Sequence, residues 1–166
     1  MKIYLVRHAV AVDREEHALN DETRPLTAEG AEKMKKAAAG LIRIGAVADI
    51  ILSSPLVRAR QTADILAEAL GGKVPVQIAP GLAPGGPRDQ VFEEIRSRKQ
   101  HGALMLVGHQ PSLGELAGAI AWGSSDRYVE LKKGGVCAIE LETLTPQPRG
   151  ELLYLLTPAI MRSLSR

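Results

Sequence analysis

The chain has 166 residues, 45% of them hydrophobic and 24% charged, and a formal net charge of +2. Those values describe one soluble globular domain, 1–166, long enough to bury a substantial core. So weak a charge removes the electrostatic argument for nucleic acid or an anionic membrane as partner, and no apolar stretch approaches the roughly 18 residues of a membrane span. Cys137 is the only cysteine, so no intrachain disulfide is possible, and its apolar neighbours predict a buried thiol. No secretory pattern precedes Arg7. A cytoplasmic monomer is the expectation.

In chain order, the apolar run 2–7 reads as a strand that ends on the pair Arg7-His8. After a charged loop, residues 28–44 have helical spacing, with Ala31, Met34, Ala38, Leu41 and Ile42 on one face. A second strand, 49–53, ends in Ser53-Ser54-Pro55 and leads into a helix over 55–70. Ser54 is its expected N-cap and Pro55 its first residue, which places Arg58 in the first turn. A strand at 76–79 follows, then a helix after Gly85-Gly86-Pro87 with Val91, Phe92 and Ile95 inward. The strand 103–108 delivers His109, and Ser112 with Glu115 reads as a capping box opening another helix. Strands at 136–142 and 151–156 flank the turn-rich segment 145–150 and predict an antiparallel hairpin. Strands alternating with helices predict an α/β three-layer sandwich: a mixed, mostly parallel central sheet flanked by helices.

Ligands of open α/β sheets bind beyond the carboxyl ends of the strands. Three such ends carry Arg7, His8, Arg58 and His109, a set suited to a phosphoryl group. Guanidinium forks bind two oxygens at once and keep their charge at neutral pH. A neutral imidazole can attack phosphorus, dividing one displacement into two. The start of a helix adds free N–H groups that favour an anion beside Arg58. None of the usual metal-ligand spacings is present.

The wording of these segments is more specific than their spacing. Leu5-Val6-Arg7-His8-Ala9, Arg24-Pro25-Leu26-Thr27 with Gly30, Ser53-Ser54-Pro55-Leu56-Val57-Arg58-Ala59-Arg60-Gln61-Thr62-Ala63 and Val107-Gly108-His109-Gln110-Pro111 form an ordered set. The set resembles the histidine phosphatase superfamily, and within it the SixA-type protein phosphohistidine phosphatases. That resemblance implies a phosphoglycerate mutase-like fold and His8 as a transiently phosphorylated nucleophile. It also implies Arg7 and Arg58 as holders of the phosphoryl oxygens, His109 as the second histidine of the pocket, and no metal or organic cofactor. The implied partner is a phosphohistidine-containing protein, for example a phosphotransfer domain in signal transduction.

Departures narrow the chemistry. Where large branches of the superfamily place Gly, Ser and Asn after the Arg-His pair, this chain has Ala9, Ala11 and Arg14. The stretch Ala79–Pro87, comparable to the one that supplies a general acid in phosphomonoesterases, holds no carboxylate. An alkoxide leaving group needs a proton, and a positioned acid contributes about 10²–10⁴-fold. A site without one is biased toward P–N bonds, unless Asp13, Glu15 or Glu16 reaches in from the first loop. Arg24 positions the first helix, reaches substrate, or pairs with Asp21 or Glu22, the pairing being favoured. The alternatives are a phosphatase of small phosphomonoesters, a phosphate-binding module without turnover, and a metallohydrolase built on His8, His109 and Asp13.

Overall fold

The computed structural model describes residues 1–15, 20–124 and 126–165. Its six strands are β1 Lys2–Arg7, β2 Ile50–Ser53, β3 Val76–Ile78, β4 Ala103–Gly108, β5 Val136–Thr143 and β6 Arg149–Leu156. The helices are α1 Ala28–Arg43, α2 Val57–Ala69, α3 Arg88–Arg96, α4 Ser112–Trp122 and α5 Pro158–Leu164. One sheet runs in the order β3-β2-β4-β1-β5-β6. Strands β1 to β4 are mutually parallel, while β5 lies antiparallel to both β1 and β6.

Both faces of the sheet are covered, which is why its central strands are continuous apolar runs and not alternating ones. Successive residues feed opposite cores. Ile3, Leu5, Leu52, Leu104 and Leu106 pack with Phe92, Ile95, Leu113 and Leu116 of α3 and α4. Tyr4, Val6, Ile51, Met105 and Val107 pack with Met34, Leu41, Ala63 and Leu66 of α1 and α2. The expected three layers are therefore present, and the predicted hairpin is β5–β6.

Two local expectations fail, each for an identifiable reason, and one helix lies outside them. Helix α2 begins at Val57, not Pro55, and its cap position is Leu56 without any side-chain cap. The Ser54 hydroxyl instead meets the ring of His109 and the Leu56 N–H. Helix α4 does start at Ser112, but no capping box forms; Gln110 Oε1 accepts from the Gly114 N–H at 3.0 Å. Helix α5 has no counterpart in the sequence reading, although Thr157-Pro158 is a start signal and Thr157 does accept from the Ile160 N–H. It closes the α1 side through Met161, packed so closely on Gly40 that a Cβ there would lie 1.8 Å from the Met161 carbonyl oxygen.

Candidate active site

Strand register assembles the site. Arg7 stands opposite Gly108 in the parallel β1–β4 pair, so the next residues, His8 and His109, leave the sheet side by side. Their ring centroids are 5.0 Å apart. In the β2–β4 pair Ser53 stands opposite Val107, which brings Ser54 to His109, with Oγ 2.8 Å from Nε2. Backbone bonds from His8 N to Gly108 O and from Ser54 N to Val107 O carry the sheet one residue past its formal end.

His8 is buried, and its Nδ1 lies 2.7 Å from the Ala9 carbonyl oxygen. A carbonyl only accepts, so Nδ1 carries the proton and Nε2 holds the lone pair. The Ala9 N–H donates to Thr62 Oγ1, whose hydroxyl donates to the Arg58 carbonyl. This clip joins the loop after β1 to the first turns of α2. The Gly134 N–H donates to the carbonyls of both Arg7 and His8 from the other side. The imidazole is held in one tautomer by a rigid surround.

Arg7 donates to the Leu131 carbonyl through Nη1 at 2.8 Å. Arg58, 2% exposed, donates through Nη1 to the Asp21 carbonyl at 2.7 Å and through Nη2 to Asp21 Oδ2 at 3.1 Å. Arg7 Nε, Arg58 Nε and His109 Nδ1 are buried without a partner among the described residues. Buried polar groups are otherwise nearly always paired, so three orphans in one site fit a polar ligand that brings its own oxygens.

The electrostatics agree with this geometry. Burial, opposed by the Ala9 bond and reinforced by Arg58, Arg7 and Lys133, holds the His8 pKa at about 4. Burial with His8 and Arg58 lowers that of His109 to about 3, while Asp21 opposes the shift. Burial also lowers both arginines, but a guanidinium stays charged at any working pH. Two neutral imidazoles thus face two permanent cations, and Lys133, which the sequence reading did not single out, adds to the Coulombic effect on His8.

A consequence for stability follows. The native state keeps both rings neutral, whereas the unfolded chain takes up protons below their ordinary pKa of 6.5. Stability is therefore complete above that pH and is lost as pH falls toward 4, by about 4 kcal/mol at pH 5 for the pair together. Urea unfolding at pH 7.5 and pH 5 should show this loss, and His109→Asn should remove about half of it.

Asp13 and Glu15 are exposed, Asp89 is exposed on α3, and Glu16 and His17 fall outside the described residues. No three His, Cys, Asp or Glu side chains among the described residues form a metal-binding group, which leaves the metallohydrolase built on Asp13 without its ligand set. Arg24 pairs with Asp21 and donates to the Val12 carbonyl, so the favoured reading holds. His101 is half-buried near Asp49 at the opposite end of the sheet. Cys137 is buried, and desolvation pushes its thiol up to about 12. Beside His109 a cleft of about 480 Å³ opens between the loop bearing Gly81 and Gly86 and the helix residues Arg88, Ser112 and Glu115.

Residues 3–84 match the model of the histidine phosphatase superfamily (branch 1). A protein of Picosynechococcus sp., itself uncharacterized, is 43% identical over 141 residues, 84% of each chain. The chain belongs to the histidine phosphatase superfamily. Membership supports a phosphatase, a hydrolase of phosphoryl groups. The phosphohistidine phosphatase SixA of Escherichia coli is 26% identical over 128 residues, 75% of this chain and 77% of that protein. The fold matches a structure of protein histidine phosphatase SixA complexed with tungstate, at a TM-score of 0.84 and 22% identity over 97% of this chain and 99% of the other. The alpha-ribazole phosphatase of Shigella flexneri shares it at a TM-score of 0.74 and 18% identity, over 95% and 97% of the two chains. Within this site the residues least legible from sequence are Ser54, Thr62 and Asp21, each of which acts through a partner distant in sequence. No helix among the described residues is long and apolar enough to cross a membrane.

Proposed function

We propose that this chain hydrolyses phosphohistidine on a protein partner through a covalent phospho-His8 intermediate. The observation that carries the proposal is the Nδ1–Ala9 bond, which leaves Nε2 of a neutral His8 as the free lone pair beside two guanidinium groups. In the first step Nε2 attacks phosphorus, the P–N bond to the partner's imidazole breaks, and that imidazole leaves with a proton from solvent. In the second step water attacks phosphorus, its proton passes to solvent, the P–Nε2 bond breaks and inorganic phosphate departs. Arg7, Arg58 and His109 bind the phosphoryl oxygens in both steps. The two guanidinium charges are fixed before reaction, which is the condition for strong electrostatic stabilisation, while the neutral His109 ring contributes a hydrogen bond.

The carboxylates support a P–N substrate. Asp21, the acidic group that acts on His109, engages Arg58, Arg24 and Arg14; burial raises its pKa, but the Arg58 hydrogen bond and the three cations outweigh that and hold it below the ordinary carboxylate value, ionised. An ionised, triply paired carboxylate is no proton donor. One observation favours a small phosphomonoester instead: Glu115, released from its expected capping role, is exposed on the cleft beside His109. Initial rates on a phosphohistidine carrier protein and on a panel of sugar phosphates and nucleotides separate the readings. A preference of about 100-fold or more for the P–N substrate is expected, the contribution a missing acid would make to P–O cleavage. Faster turnover of a phosphomonoester, abolished by Glu115→Gln, would overturn it.

A further inference from the structure

Asp21 occupies a place that the reaction above does not explain. It opens a 3₁₀ turn, Asp21–Thr23, shaped by Asn20 Oδ1 accepting from the Glu22 N–H at 2.9 Å. From this rim the residue reaches Arg58 twice, with its carbonyl oxygen on Nη1 and its carboxylate on Nη2. The other carboxylate oxygen, Oδ1, takes Arg24 and Arg14, each at 3.1 Å, and Arg24 is anchored in turn on the Val12 carbonyl. The Arg58 side chain is 3% exposed and the Asp21 side chain 33%, so the pair runs from the interior to the rim.

A guanidinium has five N–H donors in a fixed plane. Asp21 takes one from each terminal nitrogen, so three remain, including the unpartnered Nε–H. Two contacts to a planar group define its orientation as well as its position. Their cost is a carboxylate near a site for anions, which by Coulomb's law alone weakens binding of phosphate. A residue whose charge opposes the ligand while its geometry serves it has a distinctive signature.

We propose that Asp21 is a positioning residue that grips the two terminal nitrogens of Arg58 and presents its remaining N–H groups to the phosphoryl oxygens. The inference rests on the reading of this pocket as a phosphoryl site, and its sign distinguishes it from the alternatives. Loss of a bystander carboxylate tightens anion binding; loss of a positioning one weakens it. Loss of a purely structural one changes stability and leaves the affinity of the folded protein unchanged.

Calorimetric titration of the full chain with inorganic phosphate tests this directly. Asp21→Ala is expected to weaken binding about tenfold, against the Coulombic direction, through loss of the charge-assisted contact. Asp21→Asn keeps an acceptor oxygen for Nη2, and its affinity should stay within about threefold of the wild type. In an Arg58→Ala background the Asp21→Ala change should no longer weaken binding, since the effect passes through Arg58. Affinity in Asp21→Ala equal to or tighter than wild type would overturn the proposal. So would a tenfold loss that persists without Arg58. Phosphate binding by wild type without turnover of phosphohistidine would defeat the functional reading and leave this one to the titration, whereas no binding by wild type would end both.

Discussion

Replacement of His8 by alanine is expected to abolish phosphate release, by at least about 10⁴-fold in kcat, because no other side chain can supply the displaced step. The fold gives His8 no substitute. His109 lies 5.0 Å away by ring centroids, but its Nε2 faces the Ser54 hydroxyl and its Nδ1 is buried. A protein in which His109 were the nucleophile would keep turnover in His8→Ala and lose it in His109→Ala. Folding should survive, since His8 contributes one side-chain hydrogen bond, to Ala9, worth about 1 kcal/mol net. The variant should also resist acid better than wild type, because one of the two buried rings that must stay neutral is gone.

Arg58→Ala is the second large effect, about 10²–10³-fold in kcat/KM, the range typical for loss of a preorganised charge donor at a reacting centre. Lysine at this position should recover little. An ammonium is a point charge on a flexible stem and cannot both answer the two oxygens of Asp21 and present a planar edge to phosphate. Removal of Arg58 also strands the Asp21 carboxylate beside the pocket. The double variant Arg58→Ala/Asp21→Asn should therefore be several-fold more active than Arg58→Ala alone, as expected for two groups in direct contact. Steady-state rates on a phosphohistidine protein check both statements. Equal activity of the single and double variants would mean that Asp21 does not act on the anion at all.

Much of this site was legible before any coordinates, for a physical reason. A parallel sheet places equivalent strand ends along one edge, so a histidine after β1 and another after β4 become neighbours once the register pairs Arg7 with Gly108. Arg58 was legible because a strand-to-helix junction puts the first helical turn over the same edge. What escaped reading depends on contacts between segments far apart in sequence. Ser54 looked like an N-cap because Ser before Pro has that local preference, yet its hydroxyl answers a ring 55 residues away. Glu115 looks like half of a capping box, but Pro111 takes the cap position, Ser112 lies inside the helix, and the Glu115 N–H donates to the Pro111 carbonyl. Local sequence pairs Asp21 with Arg24, three residues along the chain, and gives no sign of Arg58, 37 residues away. Local pattern predicts which groups compete for a partner; tertiary packing decides which of them wins.

The motif residues that carry no chemistry also acquire reasons. Gly30 lets α1 approach the loop after β1, since a Cβ there would lie 2.2 Å from the Val10 carbonyl oxygen. Thr27 caps the same helix by accepting from the Gly30 N–H. Gln61 accepts from the Leu26 N–H and so ties that loop to α2. Together with Thr62 these contacts hold the segment after His8 on three sides, and a nucleophile so held needs little reorganisation to meet phosphorus.

The central claim is that the lone pair on Nε2 of one imidazole becomes bonded to phosphorus during turnover. Rapid mixing with a labelled phosphohistidine protein, an alkaline quench and fragment mass spectrometry read that bond. The label should be found on His8, attached at Nε2, and should decay to inorganic phosphate at a rate no slower than kcat. Recovery of the label on any other side chain, or full single turnover with no phosphorylated enzyme at any time, would contradict the account.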